Sequence, residues 1–231
     1  MLMLRLLMIQ ADLPAGIDPL AEPEGISTKF IDLALKGGWI MIPILLLSVI
    51  GVYIFFDRYF AIKKAGRFDT GLLEKVKVYI TGGKIDAALA LCRSSSTPAA
   101  RMLEKGISRI GRPLNDVNAA IENVGNLEIS KLEKGLPVLA SVAGGAPMIG
   151  FLGTVMGMIQ AFYDMSNAGN NIDVTLLSTG IYQAMVTTVA GLIVGIIAYF
   201  AYNILVSNVE KVVFKMEATT SDFMDLLNEP A

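Results

Sequence analysis

Residues 135–163 read GLPVLASVAGGAPMIGFLGTVMGMIQAFY and decide the fold, because these 29 consecutive residues contain no charged side chain. A second uncharged stretch of 36 residues lies between Asp173 and Glu210, and a third reads WIMIPILLLSVIGVYIFF over residues 39–56. A helix crosses the hydrocarbon core of a bilayer, roughly 30 Å thick, with about 20 predominantly apolar residues. Soluble helices rarely run this long without a charge, since one face normally meets water. The sequence therefore predicts three transmembrane helices: residues 39–59, 137–163 and 176–206.

The composition of the 231-residue chain supports this interpretation and excludes several kinds of chemistry. Hydrophobic residues make up 54% of the chain and charged residues 17%, against about 25% in soluble domains. The chain has no histidine and one cysteine, Cys92, which excludes His-based acid–base catalysis, an intrachain disulfide and a multi-cysteine zinc site. We therefore expect neither an enzyme nor a cofactor. The net charge of −2 argues against binding to nucleic acid.

The distribution of basic residues predicts how the chain is oriented in the membrane. Residues 60–136 carry 13 Lys and Arg, whereas the connector 164–175 carries none. The first 38 residues carry three Lys and Arg against five Asp and Glu. Because segments rich in Lys and Arg stay in the cytoplasm, residues 60–136 are expected to be cytoplasmic. The N-terminus and the 164–175 connector are then outside, and the C-terminal residues 207–231 are inside.

The expected fold class is an all-α membrane protein. Its three spans are expected to continue into long cytoplasmic helical extensions. Residues 1–38 are interpreted as a periplasmic N-terminal arm. Its first ten residues are interpreted as an apolar stretch rather than a cleaved signal peptide. The arm is expected to end with a short amphipathic helix over residues 27–36. Residues 207–231 should continue the third span as a cytoplasmic helix. Cys92 is interpreted as a packed apolar residue rather than a reactive thiol. Helices of the cytoplasmic segment 60–136 are predicted over residues 70–80, 84–92, 97–110 and 115–133.

Small residues repeat at three- and four-residue steps along the second and third spans. Lipid gives no hydrophobic drive to helix association, so membrane helices pack by close approach of their backbones through such faces. This pattern predicts tight helix packing through the small-residue faces of the second and third spans. Its helix-packing residues are Gly150, Gly153, Gly157, Gly191 and Gly195.

Four polar side chains within the same two spans are candidates for a functional site: Thr154, Gln183, Thr187 and Thr188. Polar groups in hydrocarbon need partners or a watered cavity, so a polar seam that faces other helices is expected. Gln183 and Thr187 lie one turn apart on one helical face. Since the two spans contain no ionisable acid or base, the chain cannot carry protons across the membrane on a group of its own.

Two stretches of these spans resemble the MotA/TolQ/ExbB proton-channel family, closest to its ExbB-like subunits. Residues 147–159, PMIGFLGTVMGMI, are similar to the family's APLLGLLGTVxGMI run. Residues 180–192, GIYQAMVTTVAGL, are similar to its GIxEALxxTAxGL run. The order of three spans, with a large segment between the first and the second, is also similar to that of the family.

The resemblance implies a function, a set of partners and a location. Family members form a homo-pentamer whose second and third spans line a central channel around a dimer of a single-span ExbD/TolR-like protein. The intramembrane Asp of that partner carries the proton, which makes the proton the transported ion. ExbB systems pass the work to a TonB-like protein and outer-membrane transporters. The chain is thus expected to be a stator and channel subunit in the bacterial inner membrane, surrounded by lipid.

The resemblance also assigns roles to the polar residues of the spans. Thr154 and Thr188 match the pair of threonines that faces the lumen in the family. Where ExbB and TolQ usually carry Glu, this chain has Gln183, which can hydrogen-bond but cannot ionise. The resulting hypothesis is that Thr154, Gln183 and Thr188, with Thr187, line the lumen while the partner supplies the carboxyl group.

Three alternative functions compete with this one. A secondary transporter predicts paired broken helices and intramembrane charges, and neither is visible in the sequence. A non-conducting membrane scaffold explains the small-residue faces but not the Thr and Gln positions. Within the family, a TolQ-like or gliding-type motor subunit shares the same motifs, so these motifs do not separate it from an ExbB-like subunit.

Overall fold

The chain is described here by a computed structural model that covers residues 37–67, 70–167 and 174–228. Within these residues the chain is built from seven helices and contains no strand, which confirms the predicted all-α class. Residues 1–36 of the predicted N-terminal arm, with the amphipathic helix predicted over residues 27–36, and residues 168–173 of the 164–175 connector lie outside the described residues. The helices are α1 (Met41–Ala65), α2 (Thr70–Thr81), α3 (Ile85–Ser94), α4 (Pro98–Ile107), α5 (Leu114–Glu133), α6 (Leu136–Asn167) and α7 (Val174–Asn228).

Three of the described helical segments are long and apolar enough to cross a membrane, which confirms the three predicted spans. Their most apolar windows have mean hydropathies of 1.8 in α1, 1.7 in the α5–α6 segment and 2.2 in α7. Large side chains on these windows, such as Val49 (69% exposed) and Phe151 (66% exposed), point away from the chain's own core. Outward apolar faces of this kind suit helices that contact lipid or another subunit.

The third span belongs to a helix of 55 residues, α7, which continues far beyond its uncharged part. At 1.5 Å per residue such a helix is roughly 80 Å long, more than twice the thickness of the hydrocarbon core. The predicted helical continuation of the third span is therefore present through Asn228. This helix joins the membrane spans to the helical domain, which we define as α2–α5 together with the part of α7 that follows Val209.

The helical domain closes around the far end of α7. Phe223 of α7 is fully buried, and a Cβ atom built on Gly106 of α4 would lie 2.6 Å from its Cε1 atom. The same Cβ atom would lie 2.7 Å from Cδ1 of Ile121 on α5. Only a residue without a side chain allows the three helices to meet at this distance, so Gly106 fixes α7 against α4 and α5.

Local sequence sets the ends of α4 in the helical domain. Helix α4 begins where Thr97 Oγ1 accepts a hydrogen bond from the Ala100 N–H (3.4 Å), with Pro98 in the first turn. It ends at Ile107, three residues before the end predicted from the sequence, and turns lead on to Gly111, whose φ is +93°. A left-handed φ of this size favours glycine, so the helix could not continue through this point.

Cys92 lies in the core of the helical domain, as the sequence predicted, with 1% of its surface exposed. Burial, and after it the charge of Glu104, raise the pKa of the Cys92 thiol from 9.0 to about 11. Because the thiolate is the reactive form, we expect the native protein to react with iodoacetamide at pH 8 about a hundredfold more slowly than the unfolded protein. Mass spectrometry of labelled samples, with and without guanidinium chloride, measures the ratio. Equal rates would contradict this packing.

A buried carboxylate joins α5 to α4. The Glu128 side chain is 5% exposed, pairs with the Arg101 guanidinium and accepts a hydrogen bond from Lys131 Nζ at 2.7 Å. Burial alone would raise the pKa of Glu128, but the hydrogen bonds and charges of Arg101 and Lys131 outweigh it and lower the pKa below 4.5. The charged form is therefore the one that the folded protein stabilises.

Replacing Glu128 by Gln is expected to lower the free energy of unfolding at pH 7 by about 2 kcal/mol, because Arg101 loses its buried acceptor. A group whose pKa is lowered on folding stabilises the protein above its unfolded pKa, and the stabilisation is lost as the pH falls below about 4.5. Denaturant unfolding between pH 3 and 7 should show the two proteins converging at acid pH. The exposed Glu133 of α5 is the control, and a Glu133→Gln variant should follow the wild type at every pH. A constant difference between wild type and Glu128→Gln would contradict the prediction.

Candidate functional site

The frame of the candidate site is the contact between α6 and α7, where two backbones cross. A Cβ atom built on Gly191 would lie 2.5 Å from the Ala146 carbonyl oxygen and 2.9 Å from Gly150 Cα. One built on Gly150 would lie 2.9 Å from the Thr187 carbonyl oxygen. All three distances are shorter than the contacts that real Cβ atoms make, so the crossing requires glycine on both helices. We call this point the Gly150–Gly191 crossing.

The other three glycines predicted to pack the spans lie along the same contact. Cβ atoms built on Gly153 and Gly157 would lie 2.3 Å from Thr187 Oγ1 and 2.9 Å from Ala184 Cβ, respectively. One built on Gly195 would lie 2.4 Å from Pro147 Cγ. The structure thus places all five glycines between α6 and α7, in a seam that holds the neighbouring polar side chains in fixed positions.

Two hydroxyl groups lie beside the Gly150–Gly191 crossing. Thr188 Oγ1 donates a hydrogen bond across the helix pair to the Gly150 carbonyl oxygen at 3.0 Å. Thr154, one turn after Gly150, donates from Oγ1 to the Phe151 carbonyl oxygen of its own helix at 2.6 Å. Both side chains are half-buried. A hydroxyl that donates to a carbonyl keeps lone pairs with which it can accept a proton donor.

Of the other two predicted polar residues, Thr187 is buried inside the contact between α6 and α7, and Gln183 lies one turn earlier on α7. Thr187 is 1% exposed, and its Oγ1 donates to the Ala184 carbonyl oxygen at 2.7 Å inside the α6–α7 contact. The Gln183 amide lies against the turn that precedes α1, where its Nε2 would be 2.1 Å from a Cβ atom on Gly38. Gly38 also has a φ of +70°, a left-handed backbone conformation that favours glycine. The close approach of the Gln183 amide and the backbone conformation therefore both favour glycine here.

Gln183 and Thr187 share a polar cavity of about 330 Å³ with two residues that sequence reasoning did not assign to the site. These are Gln160 and Asp164 of α6, joined by a hydrogen bond of 2.8 Å from Gln160 Nε2 to Asp164 Oδ1. Their spacing of four residues on a helix was the available signal. Neither Thr154 nor Thr188 lines this cavity.

The structure spreads the predicted polar seam over two neighbouring places in one chain. Thr154, Thr187 and Thr188 lie beside the Gly150–Gly191 crossing, where Thr187 Oγ1 is 3.5 Å from the Gly150 carbonyl oxygen. Gln183 faces the start of α1, and Thr187 also lines the cavity there. That any of the four lines a channel lumen stays a prediction. The four side chains are themselves neutral hydrogen-bonding groups, and residues 135–163 and 174–209 contain no Asp, Glu, Lys or Arg. Asp164, near the end of α6, places a carboxyl group in the cavity that Gln183 and Thr187 line.

Three apolar spans, a glycine-packed helix pair and a helical domain on the same chain define a multi-pass membrane protein. The sequence model of the MotA/TolQ/ExbB proton channel family matches residues 94–218, which is more than half of the chain. The match includes α6 and the part of α7 that crosses it. The chain belongs to this family, whose members are proton channels rather than enzymes.

Relatives within the family carry ExbB and TolQ names. The chain is 29% identical over 189 residues to an ExbB-like biopolymer transport protein, ExbB-like 1, of Synechocystis sp., which covers 78% of this chain and 71% of the relative. It is 28% identical over 176 residues to an ExbB homolog of Methanothermobacter thermautotrophicus, covering 74% of this chain and 62% of the relative. It is 35% identical over 104 residues to the Tol-Pal system protein TolQ of Haemophilus influenzae, covering 45% of this chain and 42% of the relative.

Proposed function

We propose that the chain is the stator and channel subunit of an inner-membrane motor driven by the proton-motive force. In this proposal it is ExbB-like and energises TonB-dependent import across the outer membrane together with an ExbD-like partner. The observation that carries the proposal is the α6–α7 pair, with Thr154 and Thr188 beside the Gly150–Gly191 crossing and no charge along either span. Names of relatives that include ExbB biopolymer transport support the ExbB-like assignment.

The chemistry follows from what hydroxyl groups can do in a medium of low polarity. A threonine hydroxyl accepts a hydrogen bond from a neutral carboxylic acid and, after rotation of its O–H bond, donates one to a carboxylate. Thr154 and Thr188 could therefore solvate a carboxyl group in both protonation states without exchanging a proton themselves. In this proposal the carboxyl group comes from another chain, because α6 and α7 carry none between Leu136 and Tyr163 or between Val174 and Val209, and Asp164 lines the cavity beside Gln183 rather than the crossing. A single-span partner with one intramembrane Asp supplies it.

The proposal includes an orientation and an assembly. The excess of Lys and Arg in residues 60–136 supports a cytoplasmic helical domain, an N-terminus outside and a C-terminus inside. The exposed apolar faces of the three spans leave room for further copies of the chain, and the proposed assembly is a homo-pentamer around a partner dimer. The transported ion is the proton, and the membrane is the bacterial inner membrane.

A second function within the family is a TolQ-like subunit that serves envelope maintenance. The relation to TolQ of Haemophilus influenzae, 35% identical over 104 residues, supports it. A gliding-type motor role uses the same helix pair, whereas a non-conducting scaffold predicts a complex without ion flux. Deletion of the gene for this chain separates the ExbB-like role from the TolQ-like role. Loss of TonB-dependent uptake indicates the ExbB-like role, and loss of envelope integrity indicates the TolQ-like role.

The test of the proposed function is proton flux in vesicles that contain the chain with its single-span partner. We expect flux that requires both proteins and is lost when the partner's intramembrane Asp is changed to Asn. Mass measurement of the purified complex gives the copy numbers. A complex that assembles but conducts no protons would favour the scaffold, and flux through the chain alone would contradict the division of labour between the two proteins.

A further inference from the structure

An apolar groove and a cationic pocket lie end to end along α1 and α7. The groove has a volume of about 540 Å³ and is lined at the end nearer the helical domain by Phe55, Phe56, Ala201 and Ile204. Its lining is almost wholly apolar, and it lies within the uncharged stretches of both helices. An apolar surface of this kind inside a membrane is covered by a lipid chain or by protein.

The cationic pocket follows where the uncharged parts of α1 and α7 end. It has a volume of about 280 Å³ and is lined by three lysines, Lys63, Lys211 and Lys215, with Asn208 and Tyr59. The lysine side chains are exposed, and no acidic side chain is among the lining residues that the structure describes. Lys63 Nζ lies 5.7 Å from the centroid of the Tyr59 ring. The pocket therefore concentrates positive charge beside an aromatic wall.

The residues that line the two cavities are neighbours along α1 and α7. Phe55 of the groove stacks on Tyr59 of the pocket, with ring centroids 5.9 Å apart and planes inclined by 27°. On α7, Ile204 of the groove and Asn208 of the pocket are one turn apart. One molecule that is apolar along one part and anionic at its end would fill both cavities at once.

We propose that this surface binds one anionic phospholipid, with an acyl chain in the groove and the phosphate group among the three lysines. Basic pockets between membrane helices attract anionic headgroups, and the lysine ammonium groups donate hydrogen bonds to phosphate oxygens. A zwitterionic phosphatidylcholine carries its own cation next to the phosphate, which the lysines repel. A protein segment in the same place would need an acidic group at the level of Lys63, followed by an apolar stretch.

Native mass spectrometry of the full chain, purified in detergent and supplied with equal amounts of phosphatidylglycerol and phosphatidylcholine, tests the proposal. We expect the wild type to retain phosphatidylglycerol over phosphatidylcholine by at least about tenfold. A triple variant should lose most of this preference; its changes are Lys63→Gln, Lys211→Gln and Lys215→Gln. A matched triple variant at exposed lysines of the helical domain should keep it; its changes are Lys75→Gln, Lys84→Gln and Lys105→Gln.

The Ala201→Phe variant separates lipid from other anions, because the added ring occupies the groove and leaves the lysines in place. We expect this variant also to lose phosphatidylglycerol, and inorganic phosphate at millimolar concentration to leave the wild type's lipid bound. Release of the lipid by phosphate, with Ala201→Phe behaving as wild type, would show a pocket for free phosphate and overturn the proposal. A change in oligomer mass in Ala201→Phe without loss of lipid would show that another copy of the chain fills the groove. A wild type that does not prefer phosphatidylglycerol would overturn it directly.

Discussion

Replacing Gly191 by Ala is expected to lower the free energy of unfolding by about 3 kcal/mol, the upper end of the usual cost of overpacking. The added methyl group would lie 2.5 Å from the Ala146 carbonyl oxygen and 2.9 Å from Gly150 Cα. Both neighbours are backbone atoms of α6, so no side chain can rotate away, and the helices themselves have to separate. The measurement is unfolding of the purified protein in detergent with increasing denaturant, followed by circular dichroism.

Gly144 provides the matched control, because a Cβ atom built there meets no atom within 4 Å although the residue lies on α6, the helix that Gly191 packs against. Alanine is the better helix former by about 1 kcal/mol, so Gly144→Ala should leave stability unchanged or raise it. The two substitutions are chemically identical and differ only in what the methyl group meets. Similar stabilities of the two variants would contradict the close crossing of α6 and α7.

The spans could be predicted from the sequence because their signal is local and redundant. A run of 29 residues without a charge, residues 135–163, has few alternatives to a membrane helix. The start of α4 could also be predicted from local sequence, because Thr97 caps the helix and Pro98 occupies its first turn without help from any other part of the chain. The end of α4 at Ile107 was predicted three residues too late, because Arg109 and Ile110 donate to carbonyl groups three residues back, at Gly106 and Ile107, and the sequence does not distinguish such turns from a helix.

Contacts between distant parts of the chain could not be predicted in this way. Phe223 occupies the space beside Gly106, and nothing in either local sequence indicates the other. The same holds for Gln183, whose amide lies against Gly38 at the start of α1. Helical periodicity placed Gln183 correctly beside Thr187, but it carries no information on which neighbouring element faces that side.

The two adjacent threonines show where the sequence pattern reaches its limit within one helix. Neighbouring positions lie about 100° apart around a helix, and the spacing of small residues along the third span favours Thr188, with Thr187 as the alternative, as the member of the small-residue face. The structure buries Thr187 in that face and leaves Thr188 at its edge, half-buried. An edge position is the one from which a hydroxyl group can reach both the Gly150 carbonyl oxygen and a second protein.

Changing Thr154 or Thr188 to Val is therefore expected to abolish proton flux, and with it energised transport, while the complex still assembles. Valine keeps the branched shape of threonine and removes the hydroxyl group, so a carboxyl group beside it loses its hydrogen-bond partner. Stability should change little, because Thr154 bonds to its own helix and Thr188 gives up one interhelical hydrogen bond. Such bonds contribute about 0.6 kcal/mol on average in membrane proteins. Proton uptake in vesicles and the mass of the complex with its single-span partner are the two measurements.

The control for this experiment is Ser141→Ala, which removes a hydroxyl group from α6 at a distance from the crossing. Ser141 Oγ donates to the Pro137 carbonyl oxygen at 2.9 Å, a bond within its own helix like that of Thr154. If a hydroxyl group mattered only for helix stability, Ser141→Ala and Thr154→Val would have the same small effect. Loss of flux in the threonine variants alone, at unchanged complex mass, ties the hydroxyl groups to the proton path. Normal flux in both threonine variants would rule out that role and leave α6 and α7 as a packing unit.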